Sequence, residues 1–178
     1  MNELERTSIR HTCRAFRLRR TLASATLTSL VAILGAGLVG VAPASAWSSR
    51  SAERVLRTCV NHERAIHGLP KLRFSKALRS AARSHARSMA RGGYFSHTDR
   101  SGGSAYQRVA RRTDRYRRGV GENIAAGRWT MKRTCREWMR SPGHRAIILD
   151  PSFEYSGAGV IRGGRYGRYM VLNVGDSR

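Results

Sequence analysis

YSGAGVIRGGRYGRYMVLNVGD, residues 155 to 176, decides the fold class. Two runs rich in β-branched and aromatic residues flank a glycine-rich GGRYG turn. That pattern predicts a β-hairpin, with one strand near 156–162 and another near 168–174. Upstream of it the dominant period is helical, and no internal repeat is present. Helices first and strands last indicate an α+β domain.

The helical segments carry clear punctuation. In 51–67, SAERVLRTCVNHERAIH, residues Val55, Leu56, Cys59, Val60 and Ile66 share one face. Gly68 then sits where a C-cap glycine belongs, and Pro70 prevents continuation. His62 and His67 lie near that face and read as packing or surface residues. Ser75 caps a second helix running to about Arg91, with Leu78, Ala81, Ala82, His85, Ala86, Met89 and Ala90 as its apolar stripe. The stripe is mostly alanine, so something packs close against it. His85 lies inside the stripe and reads as a core histidine with a hydrogen-bond partner. Arg79, Arg83, Arg87 and Arg91 recur on another face, either as a solvated surface or as a dock for an anionic polymer.

GGYFSHTDRSGGS reads as a loop, and AYQRVARRTDRYRRG as a basic helical segment with Tyr106 and Val109 as its apolar contacts. VGENIAAG follows as an irregular stretch. Thr130 caps a further helix with Met131, Thr134, Cys135, Trp138 and Met139 on one face. Ser141-Pro142 ends it, and Ser141 caps a short helix with Pro142 at its first position, closed by Asp150-Pro151.

The N-terminus has a basic start, an uncharged run over 21–42 and the small-x-small pattern Ala44-Ser45-Ala46. This order predicts a secretory signal peptide over 1–46 and a mature, secreted domain over 47–178; an uncleaved membrane anchor is the alternative. Without the six arginines and two glutamates of residues 1–46, 28 of 34 basic and nine of 11 acidic residues remain, a net charge of +19. Such a charge favours anionic partners: phospholipid headgroups, acidic envelope polymers or nucleic acid. An arginine-rich composition by itself would give the same charge. No recognition-helix, zinc-finger or RNP-type pattern is present, so no specific nucleic-acid binding is expected. Cys59 and Cys135 each lie on an inward helix face, which allows either one disulfide or two buried thiols.

His97, Glu122 and His144 fall in irregular or element-end segments, where functional residues collect. Two imidazoles and a carboxylate suit a divalent cation such as zinc. They equally suit a general base with its orienting partner. Nothing like HExxH is present, and the spacing alone selects neither chemistry.

VNHERAIHGLPKLRFSKALRSAARSHARSMA, FSHTDRSG, GENIAAG and WMRSPGHRAIIL, in that order, resemble the bacterial branch of the CAP superfamily, or SCP domains. That superfamily includes cysteine-rich secretory proteins, antigen 5 and plant pathogenesis-related 1 proteins. The similarity covers roughly residues 52 to 178. It implies an α-β-α sandwich with a small antiparallel sheet between helices. It also implies a shallow cleft lined by two histidines and two acids, able in some members to hold a divalent cation such as zinc or calcium. His97, Glu122 and His144 match three of those positions, with Asn123 beside them. The second acid is expected three residues after Trp138, where this chain has Ser141. Glu137 precedes the tryptophan and is turned about 100° away from it on a helix. The resemblance implies an exported binding module for a lipid, another small ligand or a weakly held cation, with basic faces for anionic envelope material. The alternative is a metal- or histidine-dependent hydrolase, a protease or esterase, for which no catalytic residue is assigned.

Overall fold

The computed structural model describes residues 48–176, and the signal-peptide reading of 1–46 lies outside them. The elements are α1 Ser49–Ile66, β1 Arg73–Phe74, α2 Lys76–Gly92, α3 Ala105–Ala110, β2 Gly119–Ala126, α4 Met131–Arg140, α5 Pro142–Leu149, β3 Tyr155–Arg162 and β4 Arg168–Asp176. The expected hairpin is β3–β4, and Glu122 and Asn123 lie in β2, which the reading of 119–126 as irregular missed. Strand order is β1-β3-β4-β2. Three long strands are antiparallel, while the two-residue β1 joins β3 in parallel, so the sheet is mixed.

Alternation along the strands divides the molecule into layers. Ala125, Ala158, Val160, Met170, Leu172 and Val174 pack with Leu56, Val60, Cys135, Trp138 and Ile148, placing α1, α4 and α5 over one face. Ile124, Tyr169 and Val171 pack with Ala82, Ala86, Met89 and Ala90 of α2 on the other. Leu78, Ala81, Val109, Tyr116 and Tyr155 extend that second layer to α3. The result is an α-β-α sandwich.

The alanine stripe of α2 meets glycine. A Cβ on Gly157 would come within 2.0 Å of the Arg79 nitrogen, and one on Gly159 within 2.4 Å of the Ala82 and Arg83 backbone. Helix and strand therefore touch almost backbone to backbone. Ser75 caps α2 by accepting from the Leu78 N–H, and Gly93 closes it in the left-handed region at φ 66°.

Helix α1 is rotated from its expected face. Val55 and Ile66 are 39% and 62% exposed, while Glu53 and Arg64 are buried. Ala52, Leu56 and Val60, spaced four apart, take the inward stripe, and Val55 turns aside from it. Glu53 reaches past the edge of β3 to accept from the Val160 N–H and the Arg83 guanidinium. Arg64 donates to the carbonyls of Pro70, Ile148, Asp150 and Phe153 at 2.8–3.2 Å, clamping the turn between α5 and β3. Burial pushes its guanidinium pKa down, and Asp150 opposes that shift.

The arginine stripe of α2 is divided. Arg83 is bonded to Glu53 and Arg79 lies over the Phe74 ring, leaving Arg87 and Arg91 exposed. The basic segment after Ser104 is helical only over Ala105–Ala110. Continuing it would stack Arg108, Arg111, Arg112 and Arg115 at like-charge spacings. The chain turns instead and buries Tyr116 against Tyr155. Tyr106, expected as an apolar contact, is 45% exposed, while Val109 is buried. Cys59 of α1 and Cys135 of α4 are bonded, with Cα atoms 6.3 Å apart.

Gly159→Ala lowers the free energy of unfolding by about 3 kcal/mol, because α2 must be pushed off the sheet. Gly143 has open space around its Cβ position, and Gly143→Ala is neutral or stabilising by up to about 1 kcal/mol. Urea unfolding of the two variants measures the contrast; equal stabilities would remove the close-packing argument. Replacing both Cys59 and Cys135 with serine costs about 4 kcal/mol, because the bond closes a loop across 76 positions of the unfolded chain. An unchanged midpoint on reduction would refute that cost.

Candidate functional site

The site is organised by β2, an edge strand of the sheet. Successive side chains on a strand point to opposite faces. Glu122 and Asn123 are consecutive, so one strand sends polar groups into both helical layers. Both are buried, at 6% and 0% exposure. Glu122 pairs across the sheet with Asn173 and enters the α2 layer. Asn123 enters the opposite layer and donates from Nδ2 to the His144 carbonyl, 3.0 Å away.

Glu122 has a full set of partners. Its Oε1 lies 3.0 Å from His97 Nδ1 and 3.9 Å from His85 Nε2. Its Oε2 accepts from Arg108 at 2.7 Å. With its amide placed to satisfy both ends, Asn173 donates to Oε2 at 3.2 Å and accepts from the Ala82 N–H at 3.3 Å. Arg108, 2% exposed, also donates to the Gly103 carbonyl at 2.6 Å and the His97 carbonyl at 2.9 Å. A capping box between Ser104 and Gln107 fixes how α3 begins and so where Arg108 points. His97 itself is exposed, and its bond to Glu122 is made through Nδ1, which leaves Nε2 outside that bond.

His85 fulfils its core reading: Nε2 donates to the Ser96 carbonyl at 2.8 Å. Burial pushes its pKa below the ordinary 6.5, opposed by Glu122 and aided by Arg108.

His144 comes from the other layer. Its ring stacks beside Trp138, with centroids 6.3 Å apart, and its Nδ1 lies 2.8 Å from Ser141 Oγ. The expected side-chain cap of α5 by Ser141 does not form; the hydroxyl is engaged by the imidazole instead. Desolvation lowers the His144 pKa, and the nearness of His97 lowers it further. Glu137 turns away and pairs with Arg140 at 3.2 Å. The structure thus brings His97, Glu122, Ser141 and His144 around one edge, with Asn123 supporting His144 from behind.

A divalent cation does not suit these residues. Both Glu122 oxygens are already bonded, one of them to a buried permanent cation. A dication there would face the Arg108 guanidinium in a poorly solvated setting. The position that could supply a second carboxylate is the neutral Ser141. Among the described residues, Cys59, Glu63 and Cys135 also cluster, but the disulfide consumes both sulfurs.

Arg108 is the residue that sequence reasoning missed. It is one arginine in a run of them, and its signal is local: it follows the S-x-x-Q capping box and precedes the inward Val109.

Known proteins share this fold. Residues 58–174 match the model of the cysteine-rich secretory protein family, CAP. YkwD of Bacillus subtilis is 36% identical over 121 residues, which are 67% of this chain and 47% of that protein. A structure of an extracellular protein containing an SCP domain from Bacillus anthracis is 27% identical with a TM-score of 0.63, covering 72% of this chain and 41% of that one. An outer surface protein of Borrelia burgdorferi shares the fold with a TM-score of 0.68 at 17% identity, over 74% of this chain and 97% of that one. The chain thus spans less than half the length of the two Bacillus proteins. With a family model matching about two-thirds of its length, the chain belongs to the cysteine-rich secretory protein (CAP) family.

Proposed function

We propose that this CAP domain is an extracellular binding module, whose cleft takes a small ligand through the imidazoles of His97 and His144. The observation that carries this reading is the engagement of Glu122 by Arg108 and His97. The carboxylate is spent inside the protein, so the cleft presents hydrogen-bonding imidazoles rather than a free anion. Family members are typically extracellular, and among the described residues no helix is long and apolar enough to cross a membrane. Exposed arginines, among them Arg87, Arg91, Arg118 and Arg136, supply the faces for anionic envelope material. Such association is electrostatic and weakens with salt.

Two contacts favour hydrolysis as a second reading. The Ser141 hydroxyl lies within hydrogen-bond distance of the His144 imidazole, the geometry of a hydroxyl beside a base. His97 beside Glu122 is likewise an imidazole beside an orienting carboxylate. Activity on ester or peptide substrates that is lost in both Ser141→Ala and His144→Gln would replace the binding reading with this one. No turnover in the unaltered protein, with or without added zinc or calcium, is the expected result.

Zinc titration tests the role assigned to Arg108. The unaltered protein binds Zn²⁺ weakly. Arg108→Met frees Glu122 and tightens zinc binding by at least about tenfold, because a repelling buried charge is gone. The same variant loses about 3 kcal/mol of stability, since a buried charge is left without its partner. Unchanged zinc affinity in a folded Arg108→Met protein would show that the guanidinium does not exclude the cation.

The two lowered histidine pKa values set a pH dependence. Folded His85 and His144 bind protons less readily than in the unfolded chain, whose histidines titrate near about 6.5. Their contribution to stability is complete above that value and is lost as pH falls through the folded-state pKa values. NMR titration of the His85 and His144 rings gives midpoints below about 6.5; midpoints above it would reverse the sign.

A further inference from the structure

Nine of the 11 acidic residues lie in the described part of the chain. Eight of them have a hydrogen-bonding or charged partner. Glu63 is the exception: among the described residues its carboxylate has neither a hydrogen bond nor an ion pair. In a domain with three times as many basic as acidic residues, that isolation calls for another partner.

The neighbours of Glu63 are two sulfurs. Glu63 stands one turn after Cys59 on α1, at the i, i+4 spacing that brings side chains together. Its carboxylate oxygen and the sulfurs of Cys59 and Cys135 all lie within 4.8 Å of one another. Cys59 and Glu63 are half-buried, and Cys135 is buried. In the disulfide neither sulfur carries a charge, so the carboxylate has nothing to coordinate with. Cutting the bond changes the set to two thiols and a carboxylate, which are zinc ligands once the thiols lose their protons.

The chemistry balances with a dithiol as reductant. The dithiol gives two electrons and two protons. The S–S bond breaks, Cys59 and Cys135 become thiols, and the dithiol closes to its own cyclic disulfide. Zinc then displaces both thiol protons to solvent and forms two Zn–S bonds and one Zn–O bond, with water in the fourth place. Two thiolates and a carboxylate this close repel one another, and a dication between them turns the repulsion into attraction. At Zn–S distances of about 2.3 Å, tetrahedral sulfurs lie roughly 3.8 Å apart. Cα atoms 6.3 Å apart accommodate that spacing once the side chains turn, with α1 and α4 left in place. The ion needs no cavity leading to Cys135. It takes the place of the severed bond, approached from the partly exposed Cys59 and Glu63.

We infer that reduction converts the staple between α1 and α4 into a zinc site, with Cys59, Cys135 and Glu63 as its ligands. Thiolates select zinc over magnesium and calcium. The ion ties the two helices where the disulfide did, so the domain keeps this cross-link under reducing conditions. The site shares no residue with the His97–Glu122–His144 edge and stands whatever that cleft binds.

The test uses the full chain with Cys13→Ser, which leaves Cys59 and Cys135 as its only cysteines. One portion is reduced with dithiothreitol and desalted under nitrogen, and the other is kept oxidised. The reduced protein binds one Zn²⁺ at least about tenfold more tightly than the oxidised protein. Cobalt in place of zinc gives a sulfur-to-cobalt charge-transfer band in the reduced protein alone. Glu63→Gln keeps that band and weakens zinc binding at least about tenfold, since even a partner outside the ligand shell is worth that much. Zinc raises the unfolding midpoint of the reduced protein, or restores its far-ultraviolet circular dichroism where reduction alone unfolds it. Equal zinc affinity in the two redox states, or reduced protein without the charge-transfer band, overturns the site. Unchanged affinity in Glu63→Gln leaves a bare dithiol and overturns it too. A charge-transfer band without a raised midpoint or a recovered fold places the metal on unfolded thiols, which also overturns it.

Discussion

A helix can lie backbone to backbone on a strand only where both shed their side chains, and this domain is assembled around one such contact. The alanines of α2 face Gly157 and Gly159 of β3, with no room for a single added carbon at either glycine. That depth brings the Ala82 N–H within reach of Asn173 and sets His85 beside Glu122. A bulkier helix would stand further off, and neither contact could form. The polar centre of the molecule is thus a consequence of its thinnest packing layer.

Arg108 and Glu122 form the electrostatic counterpart of that contact. An ion pair taken out of water returns little net stability unless its other hydrogen-bonding positions are filled. Here most are: Arg108 also reaches the carbonyls of Gly103 and His97, and Glu122 also meets His97 and Asn173. The pair therefore fixes geometry more than it adds energy. It ties α3, the loop carrying His97 and strand β2 into one unit. Elsewhere arginine serves as a flat packing surface, as with Arg73 and Arg115 over Tyr155 and Arg133 over Trp129. Much of the formal charge is thus committed to packing.

The parts of the fold with strong local signals were legible. Ser75, Gly93, Thr130 and the GGRYG turn mark the ends of α2, the start of α4 and the hairpin. The alanine stripe foretold a close neighbour, although not that the neighbour was glycine. Register alone turned Glu137 away from the cleft. Strand β2 was not legible, because glycines and the polar pair Glu122-Asn123 interrupt its apolar alternation. The rotation of α1 was hidden for a related reason. Its buried Arg64 and Glu53 are held by backbone groups distant in the chain, and no local period records such partners. The pairing of His97 with Glu122 likewise depends on a fold that places a loop beside an edge strand.

The Arg64 clamp bears on how long the molecule lasts outside a cell. Proteases cut segments that can be drawn out and laid in extended form along an active site, and such segments are usually exposed irregular turns. The turn from Asp150 to Glu154 is exposed at Pro151 and Ser152 and is the kind of segment a protease selects. Its flanking carbonyls at Ile148, Asp150 and Phe153 are held by one buried guanidinium anchored in α1. Drawing the turn out means breaking three charge-assisted bonds together and leaving a buried cation with only the Pro70 carbonyl as acceptor. One arginine thus makes the turn as hard to digest as the helix that carries it.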